Sequence, residues 1–213
     1  MNDEDIRKLV EGFGRFRARH FESGDNSYRR LSREGQSPRI MVIACCDSRV
    51  DPAIITDCDP GDLFVVRNVA NLVPPCETGG NYHGTSAALE FAVRTLEVRH
   101  VVVLGHSRCG GISSLLRGRQ AGDNGQFIQP WMKIAAEAET AVRQAGLDPA
   151  SQEAARLAEQ SAVRVSLRNL DTFSWVRERA AQGRLQLHGW YFDLDHGELL
   201  RYSADDGRYL PLR

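Results

Sequence analysis

Three residues of this chain have the types that bind a transition metal. Cys45 lies in the run Cys-Cys-Asp-Ser-Arg, and His106 and Cys109 lie in the run Gly-His-Ser-Arg-Cys-Gly-Gly. Two thiolates and one imidazole are the protein ligands of a catalytic zinc site whose fourth position is open. The sequence therefore predicts one Zn²⁺ per chain, held by these three side chains.

Both runs follow apolar segments that are typical of buried parallel strands. Residues 40–44, 63–66 and 101–104 are short continuous apolar stretches. Cys45 comes directly after the first stretch, and His106 comes just after the last. Ligands of an open parallel sheet bind outside the carboxyl ends of its strands. We therefore expect the three metal-binding side chains to meet in one crevice.

The remaining pattern of the chain predicts helices around these strands. Apolar residues recur at helical spacing from Asp5 to about His20, which indicates an amphipathic N-terminal helix. Further helical patterns cover residues 28–33, 85–97, 112–117, 128–145, 149–170 and 173–181, and a polar loop covers 118–126. Two segments indicate a terminal hairpin, 185–193 and 198–202. We expect one domain with these parts: an N-terminal helical arm (1–35), a zinc-site βαβ core (36–118), helices (127–183) and C-terminal strands (185–213).

The composition is that of an ordinary globular protein. Of the 213 residues, 42% are hydrophobic and 26% are charged, with a formal net charge of −1. No global field attracts nucleic acid or an anionic membrane, so neither is expected as a partner. The first residues are acidic where a secretory signal would be basic, which predicts a cytoplasmic location. Five cysteines, an odd number, argue against a disulfide framework and for metal or reactive thiols.

Asp47 and Arg49 follow the first candidate ligand closely. A carboxylate two residues from Cys45 could itself bind the metal and close the site, which would make the zinc structural. Alternatively, Arg49 could hold the carboxylate away from the metal, as an acceptor for metal-bound water or hydroxide. We favour the second arrangement because both charges follow a strand end beside the candidate metal.

The motifs Cys45 to Arg49 and His106 to Cys109 together closely resemble the β-class carbonic anhydrases. The resemblance covers nearly the whole chain from residue 36 onward, and its clearest segments are 65–75, 84–93, 105–111 and 187–190. It implies an α/β fold with a central, mostly parallel sheet of four strands plus an antiparallel edge strand, flanked by helices. It also implies a homodimer or a higher even oligomer whose active sites lie at the subunit interface.

The same resemblance implies roles for individual residues. Cys45, His106 and Cys109 would bind zinc, and Asp47 and Arg49 would form a catalytic dyad. The implied substrate-binding residues are Gln36, Phe64, Val69, Phe91 and Gly110. Phe91 stands where the plant-like branch commonly has tyrosine. A second branch closes its site when bicarbonate binds, and it needs a tryptophan three residues before the first zinc cysteine, where this chain has Val42. The resemblance therefore favours the plant-like, open-site branch.

The function implied is the reversible hydration of carbon dioxide to bicarbonate and a proton by zinc-bound hydroxide. Relatives of this fold that hydrolyse carbonyl sulfide or carbon disulfide use the same metal ligands, so these substrates remain alternatives. A module with a structural zinc, closed by Asp47, is a further alternative. A serine-hydrolase elbow is disfavoured, because Cys109 stands where that motif has glycine. A redox role for adjacent Cys45 and Cys46 is also disfavoured, because vicinal bridges are strained.

Overall fold

The computed structural model describes residues 3–24, 26–77, 79, 82–118 and 125–212. The described residues divide into two compact units. The first consists of the described part of Met1–Ser37 together with Asp59–Asp62, and the second of Pro38–Cys58 and the described part of Leu63–Arg213. The single-domain interpretation stays a prediction.

The first unit is helical. Helix α1 (Glu4–Arg17) begins after Asp3, whose carboxylate accepts a hydrogen bond from the backbone N–H of Asp5 at 3.0 Å. A π-helical turn (Ala18–Glu22) and helix α2 (Ser27–Glu34) follow. The predicted N-terminal amphipathic helix is therefore confirmed. Several large apolar side chains of α1 are exposed, namely Ile6, Leu9, Val10 and Phe13.

The second unit is built on a sheet of six strands drawn from the described residues. They are β1 (Ile40–Cys45), β2 (Leu63–Asn68), β3 (His100–His106), β4 (Gln186–Asp193), β5 (Glu198–Ser203) and β6 (Arg208–Pro211). The strand order is β2-β1-β3-β4-β5-β6. The first four strands in this order are parallel, and β5 and β6 pair antiparallel to their neighbours. The predicted α/β class and mostly parallel sheet are confirmed, with β6 as one strand more than expected.

Helices flank this sheet. They are α3 (Pro52–Ile55), α4 (Gly84–Glu90), α5 (Gly110–Arg117), α6 (Ile128–Met132), α7 (Ala136–Gln144), α8 (Gln152–Leu170) and α9 (Ser174–Ala181). Like the N-terminal helix, two of the predicted helices around the sheet change their geometry along their length. A π-helical turn (Phe91–Thr95) follows α4, and a 3₁₀ turn (Lys133–Ala135) separates α6 from α7. Helix α3 was not expected. It is a single turn capped by the carboxylate of Asp51, too short to give a periodic signal. Most of the predicted polar loop over 118–126 lies outside the described residues.

Two apolar clusters hold the sheet and helices together. The first joins strands β1 and β3 to α4, α8 and α9 through Met41, Ile43, Val101, Val103, Leu89, Val163, Leu170 and Val176. The second contains Cys45 and Cys109 with side chains of α5, α7 and α8, among them Ile112, Leu116, Val142, Ala154, Ala158 and Ala162. The candidate metal ligands are therefore part of the packed interior. No helix within the described residues is both long enough and apolar enough to span a membrane.

Gly105 allows β3 and α8 to approach each other closely. A Cβ atom at this position would lie 2.5 Å from Cγ2 of Val163, which is closer than van der Waals contact allows. Because Gly105 directly precedes His106, this contact helps to set the position of a candidate ligand.

We predict that Gly105→Ala lowers the free energy of unfolding by about 1–3 kcal/mol, because the added methyl group overpacks the contact between the strand and the helix. Denaturant titration monitored by circular dichroism measures this loss. Gly84→Ala is the matched control, because no described residue other than its neighbours along the chain comes within 4 Å of a Cβ atom added at Gly84, at the start of α4. Equal stability of the Gly105→Ala variant and the wild type would show that the contact relaxes freely.

Candidate metal centre

The three candidate metal ligands come from the carboxyl ends of neighbouring strands. Cys45 is the last residue of β1, His106 is the last residue of β3, and Cys109 immediately precedes α5. Strands β1 and β3 pair in parallel, with Ala44 opposite Leu104. Each of the three side chains is buried, and their ligand atoms all lie within 4.8 Å of one another. The structure thus brings together the side chains that the sequence analysis expected to meet.

The donor geometry fits a tetrahedral metal ion. The Sγ atoms of Cys45 and Cys109 are 4.0 Å apart, too far for a disulfide. Two thiolates on a tetrahedral zinc, with Zn–S bonds of about 2.3 Å, would be separated by about 3.8 Å. Nδ1 of His106 donates to the backbone carbonyl of Ser107 at 2.8 Å. That bond leaves Nε2 with its lone pair free, and Nε2 is buried without a hydrogen-bond partner among the described residues.

The electrostatics of the two cysteines also favour a cation. A hydrogen bond from the Cys109 thiol, acting against burial, lowers the pKa of Cys45 to about 4. The same hydrogen bond, with burial and the charge on Cys45, raises the pKa of Cys109. The pair therefore holds one negative charge readily and resists a second. A bound divalent cation supplies the positive charge that allows both sulfurs to be thiolates.

Asp47 lies against Arg49. Nε and an Nη atom of Arg49 donate to the two carboxylate oxygens of Asp47, at 2.9 and 2.7 Å. The backbone N–H of Arg49 adds a third bond at 3.0 Å. Hydrogen bonding by the Arg49 guanidinium holds the pKa of Asp47 well below its usual range. Both carboxylate oxygens of Asp47 therefore accept hydrogen bonds from the Arg49 side chain.

Arg49 also connects the two loops that carry the ligands. The same Nη atom that binds Asp47 donates to the backbone carbonyl of Arg108 at 3.1 Å. Arg108 lies between the ligands His106 and Cys109 and has a left-handed backbone, with φ of 60°. Its Nε donates to both carboxylate oxygens of Asp195, at 2.8 and 3.1 Å.

Arg67 is a functional candidate that sequence reasoning missed. Its guanidinium donates to the backbone carbonyls of Cys45 at 2.8 Å and Asp47 at 2.6 Å, and to the carboxylate of Asp51 at 3.0 Å. These bonds fix the loop that follows β1. The available signal was a charged residue near the end of an apolar strand next to β1, where Arg67 lies opposite Ala44.

Glu159 is a second residue that was missed. It is 5% exposed, on α8, and one of its carboxylate oxygens accepts the backbone N–H of Cys109 at 3.0 Å. The other oxygen accepts the hydroxyl of Tyr191 at 2.7 Å. Burial raises the pKa of Glu159, and these hydrogen bonds oppose that effect. The available signal was an acidic residue beside Ala158 and Ala162, on the apolar face of a helix.

The predicted substrate-binding residues lie at several places. Val69 packs against the apolar cluster that contains Cys45 and Cys109. Phe64 and Phe91 contact each other, with ring centroids 5.8 Å apart, and Phe91 is 44% exposed. Gly110 is the first residue of α5, with open space where a side chain would lie. Gln36 is exposed between α2 and β1, in the first compact unit. The substrate roles of these residues stay predictions.

The fold and the donor set define a metal-dependent α/β protein with a Cys-His-Cys centre, and comparison with known proteins identifies its family. The family model described as carbonic anhydrase matches residues 40–199. A carbonic anhydrase of Synechococcus elongatus is 36% identical over 208 residues, which cover 94% of this chain and 74% of that protein. The chloroplastic β carbonic anhydrase 5 of Arabidopsis thaliana is 36% identical over 204 residues, which cover 96% and 67% of the two chains.

Solved structures agree with the sequence comparison. The β-carbonic anhydrase CcaA superposes with a TM-score of 0.91 at 33% identity, covering 99% of this chain and 93% of that one. A tetrameric β-carbonic anhydrase of Sordaria macrospora gives a TM-score of 0.79 at 26% identity, covering 95% and 98%. The chain therefore belongs to the β-class carbonic anhydrase family, and its interpretation as an enzyme of that family is confirmed. Its cytoplasmic location stays a prediction.

We predict that Cys45→Ser weakens metal binding by at least about 100-fold, because loss of a direct ligand should exceed the 10–100-fold effect of losing a supporting group. Elemental analysis after dialysis against a chelator measures the metal bound per chain. Cys46→Ser is the matched control, since Cys46 is the adjacent cysteine and is exposed. Equal metal content in the Cys45→Ser variant and the wild type would exclude this residue as a ligand.

Proposed function

We propose that this chain catalyses the reversible hydration of carbon dioxide to bicarbonate and a proton, with one Zn²⁺ held by Cys45, His106 and Cys109. The observation that carries the proposal is the double hydrogen bond from Arg49 to the carboxylate of Asp47. It favours three protein ligands and a free fourth position, the arrangement of a catalytic zinc. It disfavours a structural zinc closed by Asp47.

Cys45, His106 and Cys109 would hold the zinc, which would supply Lewis acidity and would lower the pKa of a water molecule bound to it. The residues around it orient the reaction. Asp47 is kept ionised by Arg49, so one of its oxygens accepts a hydrogen bond from the attacking water and directs a lone pair of that water toward carbon dioxide. Arg49 fixes the direction of the carboxylate through two bonds rather than one.

Carbon dioxide is apolar and bicarbonate is a polar anion, so the two require different contacts. We assign Val69, Phe64 and Phe91 to the apolar wall that receives carbon dioxide, and Gly110 to the open space beside Cys109. The bicarbonate-binding role of Gln36 stays a prediction of the resemblance. The absence of a hydroxyl at Phe91 leaves that part of the wall without a donor.

We also propose a homodimer or a higher even oligomer with active sites at the subunit interface. The exposed apolar side chains of α1 support this, because Leu9 is 69% exposed and Phe13 is 63% exposed. Light scattering coupled to size exclusion should give a mass of at least twice that of one chain. A monomer at micromolar concentration would contradict the proposed assembly.

We predict that Asp47→Asn and Arg49→Gln each lower kcat/KM for carbon dioxide hydration by about 10–100-fold, because the acceptor loses its charge or its orientation. Stopped-flow hydration measures both variants and the wild type, each with its metal content determined. Glu90→Gln is the control, since Glu90 belongs to an exposed ion pair with Arg94. A zinc-replete wild type without hydration activity would refute the proposal and favour carbonyl sulfide or carbon disulfide as the substrate.

We predict that hydration activity rises between about pH 6 and pH 9, because the attacking water must lose a proton. The ionisation of Asp47 does not contribute to this pH–activity profile, because its pKa lies well below its usual value and its carboxylate is already ionised. Initial stopped-flow rates across the range give the profile. A flat profile would contradict this account of the nucleophile.

A further inference from the structure

We infer that Arg108 is a positioning residue for the metal centre, through a left-handed backbone conformation that Asp195 holds in place. This inference rests on the proposed function only in that both require a metal at the Cys-His-Cys site. Arg108 separates Ser107 from Cys109 in the loop that supplies two of the three ligands. The side chain of Arg108 is not a candidate metal ligand, and it donates to the carboxylate of Asp195.

The backbone of Arg108 is in a region that residues with a Cβ atom rarely adopt. Its φ is 60°, where glycine is favoured and other residues are strained. Strain of this kind persists only where the surroundings fix the conformation, and it is found mainly at functional sites. The strain therefore points to a constraint on the peptide groups on either side of Arg108.

Both neighbours of Arg108 are fixed to other elements. The backbone N–H of Ser107 donates to the carbonyl of Phe192 at 3.0 Å, and its hydroxyl accepts the N–H of Leu194 at 2.8 Å. On the other side, the N–H of Cys109 donates to the buried carboxylate of Glu159. Arg108 is the single residue that joins these two anchored neighbours. The left-handed conformation is the solution that the structure adopts.

Asp195 is itself well placed to hold this conformation. Its backbone N–H donates to the carboxylate of Asp193 at 3.0 Å. The Asp193 side chain is only 2% exposed, and it also binds Arg156 and His196. Asp195, two residues beyond the end of β4, is therefore anchored to a buried group on that strand.

The conformation of Arg108 reaches the catalytic dyad as well as the ligands. Its carbonyl accepts a hydrogen bond from the Nη atom of Arg49 that binds Asp47. Rotation of the 108–109 peptide would move this acceptor and release Arg49 from one of its two partners. Asp195, Arg108, Arg49 and Asp47 thus form one continuous series of contacts.

If Arg108 and Asp195 formed only an ordinary exposed ion pair, its removal would have little effect on stability or on zinc affinity. The side chains of Arg108 and Asp195 are 59% and 32% exposed, and such pairs contribute little to stability. What distinguishes this pair is that the strained backbone of Arg108 lies between two candidate metal ligands, His106 and Cys109. A merely stabilising role and a positioning role therefore predict different results when arginine is replaced by glycine.

The test compares Arg108→Gly, Arg108→Ala and Asp195→Asn with the wild type. Zinc affinity is measured by chelator competition, and the thermal midpoint is measured on the metal-free protein. For Arg108→Gly we expect a midpoint equal to or above that of the wild type, because glycine accepts a positive φ, and zinc affinity lower by about tenfold. Asp195→Asn should lower zinc affinity to a similar extent. Arg108→Ala should lower zinc affinity with at most a small fall in the midpoint, because the strain remains while an exposed ion pair is lost.

A double variant and a matched control complete the test. Arg108→Ala combined with Asp195→Asn should lose no more affinity than Arg108→Ala alone, because the two side chains act through one contact. Arg94→Ala should leave zinc affinity unchanged, since Arg94 pairs with Glu90 at the same 2.8 Å separation and is as exposed as Arg108, at 58% against 59%.

Two results would overturn the inference: unchanged zinc affinity in Arg108→Gly, or a thermal midpoint that falls in parallel with its affinity. Failure of the proposed function is distinguishable, because a wild type that binds zinc without hydrating carbon dioxide leaves the affinity comparison intact.

Discussion

Two cysteine sulfurs that lie 4.0 Å apart in a buried cluster can both be ionised only if a cation shares the site. This constraint governs the arrangement around Cys45 and Cys109. The parallel pairing of β1 and β3 brings the two sulfurs to the same end of the sheet. Cys45 is 5% exposed and Cys109 is 1% exposed, so bulk solvent screens their charges little. His106 adds a neutral donor whose orientation is set by its own backbone neighbour. A bound cation would thus balance the negative charge of the two buried thiolates.

Arginine side chains position the surroundings of the centre, and they do so in different ways. Arg67 binds backbone carbonyls of the loop after β1, which fixes the path of the chain. Arg49 binds the carboxylate of Asp47, which fixes the direction of a side chain. Guanidinium suits both tasks, because its planar set of donors can bind several acceptors at fixed angles and it remains charged at any relevant pH. Lysine at either position would supply the charge without the geometry.

The sequence was sufficient to predict those candidate site residues that are marked by their residue types at short spacing. Cys45, Asp47 and Arg49 lie within five residues after an apolar strand, so their meeting follows from local chain geometry and strand order. Arg67 and Glu159 could not be found in this way, because they bind backbone groups of residues 20 or more positions away. A backbone carbonyl or N–H carries no residue-type signal, so no pattern marks its partner. Strand β6 was missed for a related reason: four residues are too few to show alternation.

The position of Val42 connects the fold to the choice between an open and a closed site. Val42 is 5% exposed and forms a third, smaller apolar cluster with Ala44, Val102 and Leu104. Trp190 and Phe192 pack against this cluster. The resemblance associates closure by bicarbonate with tryptophan at this position, and valine offers neither an indole N–H nor a large ring. Closure of the site by Asp47 would also require the two side-chain hydrogen bonds from Arg49 to Asp47 to break. Val42 on the sheet and Asp47 at the strand end make separate contacts. Both residues therefore support an open metal site.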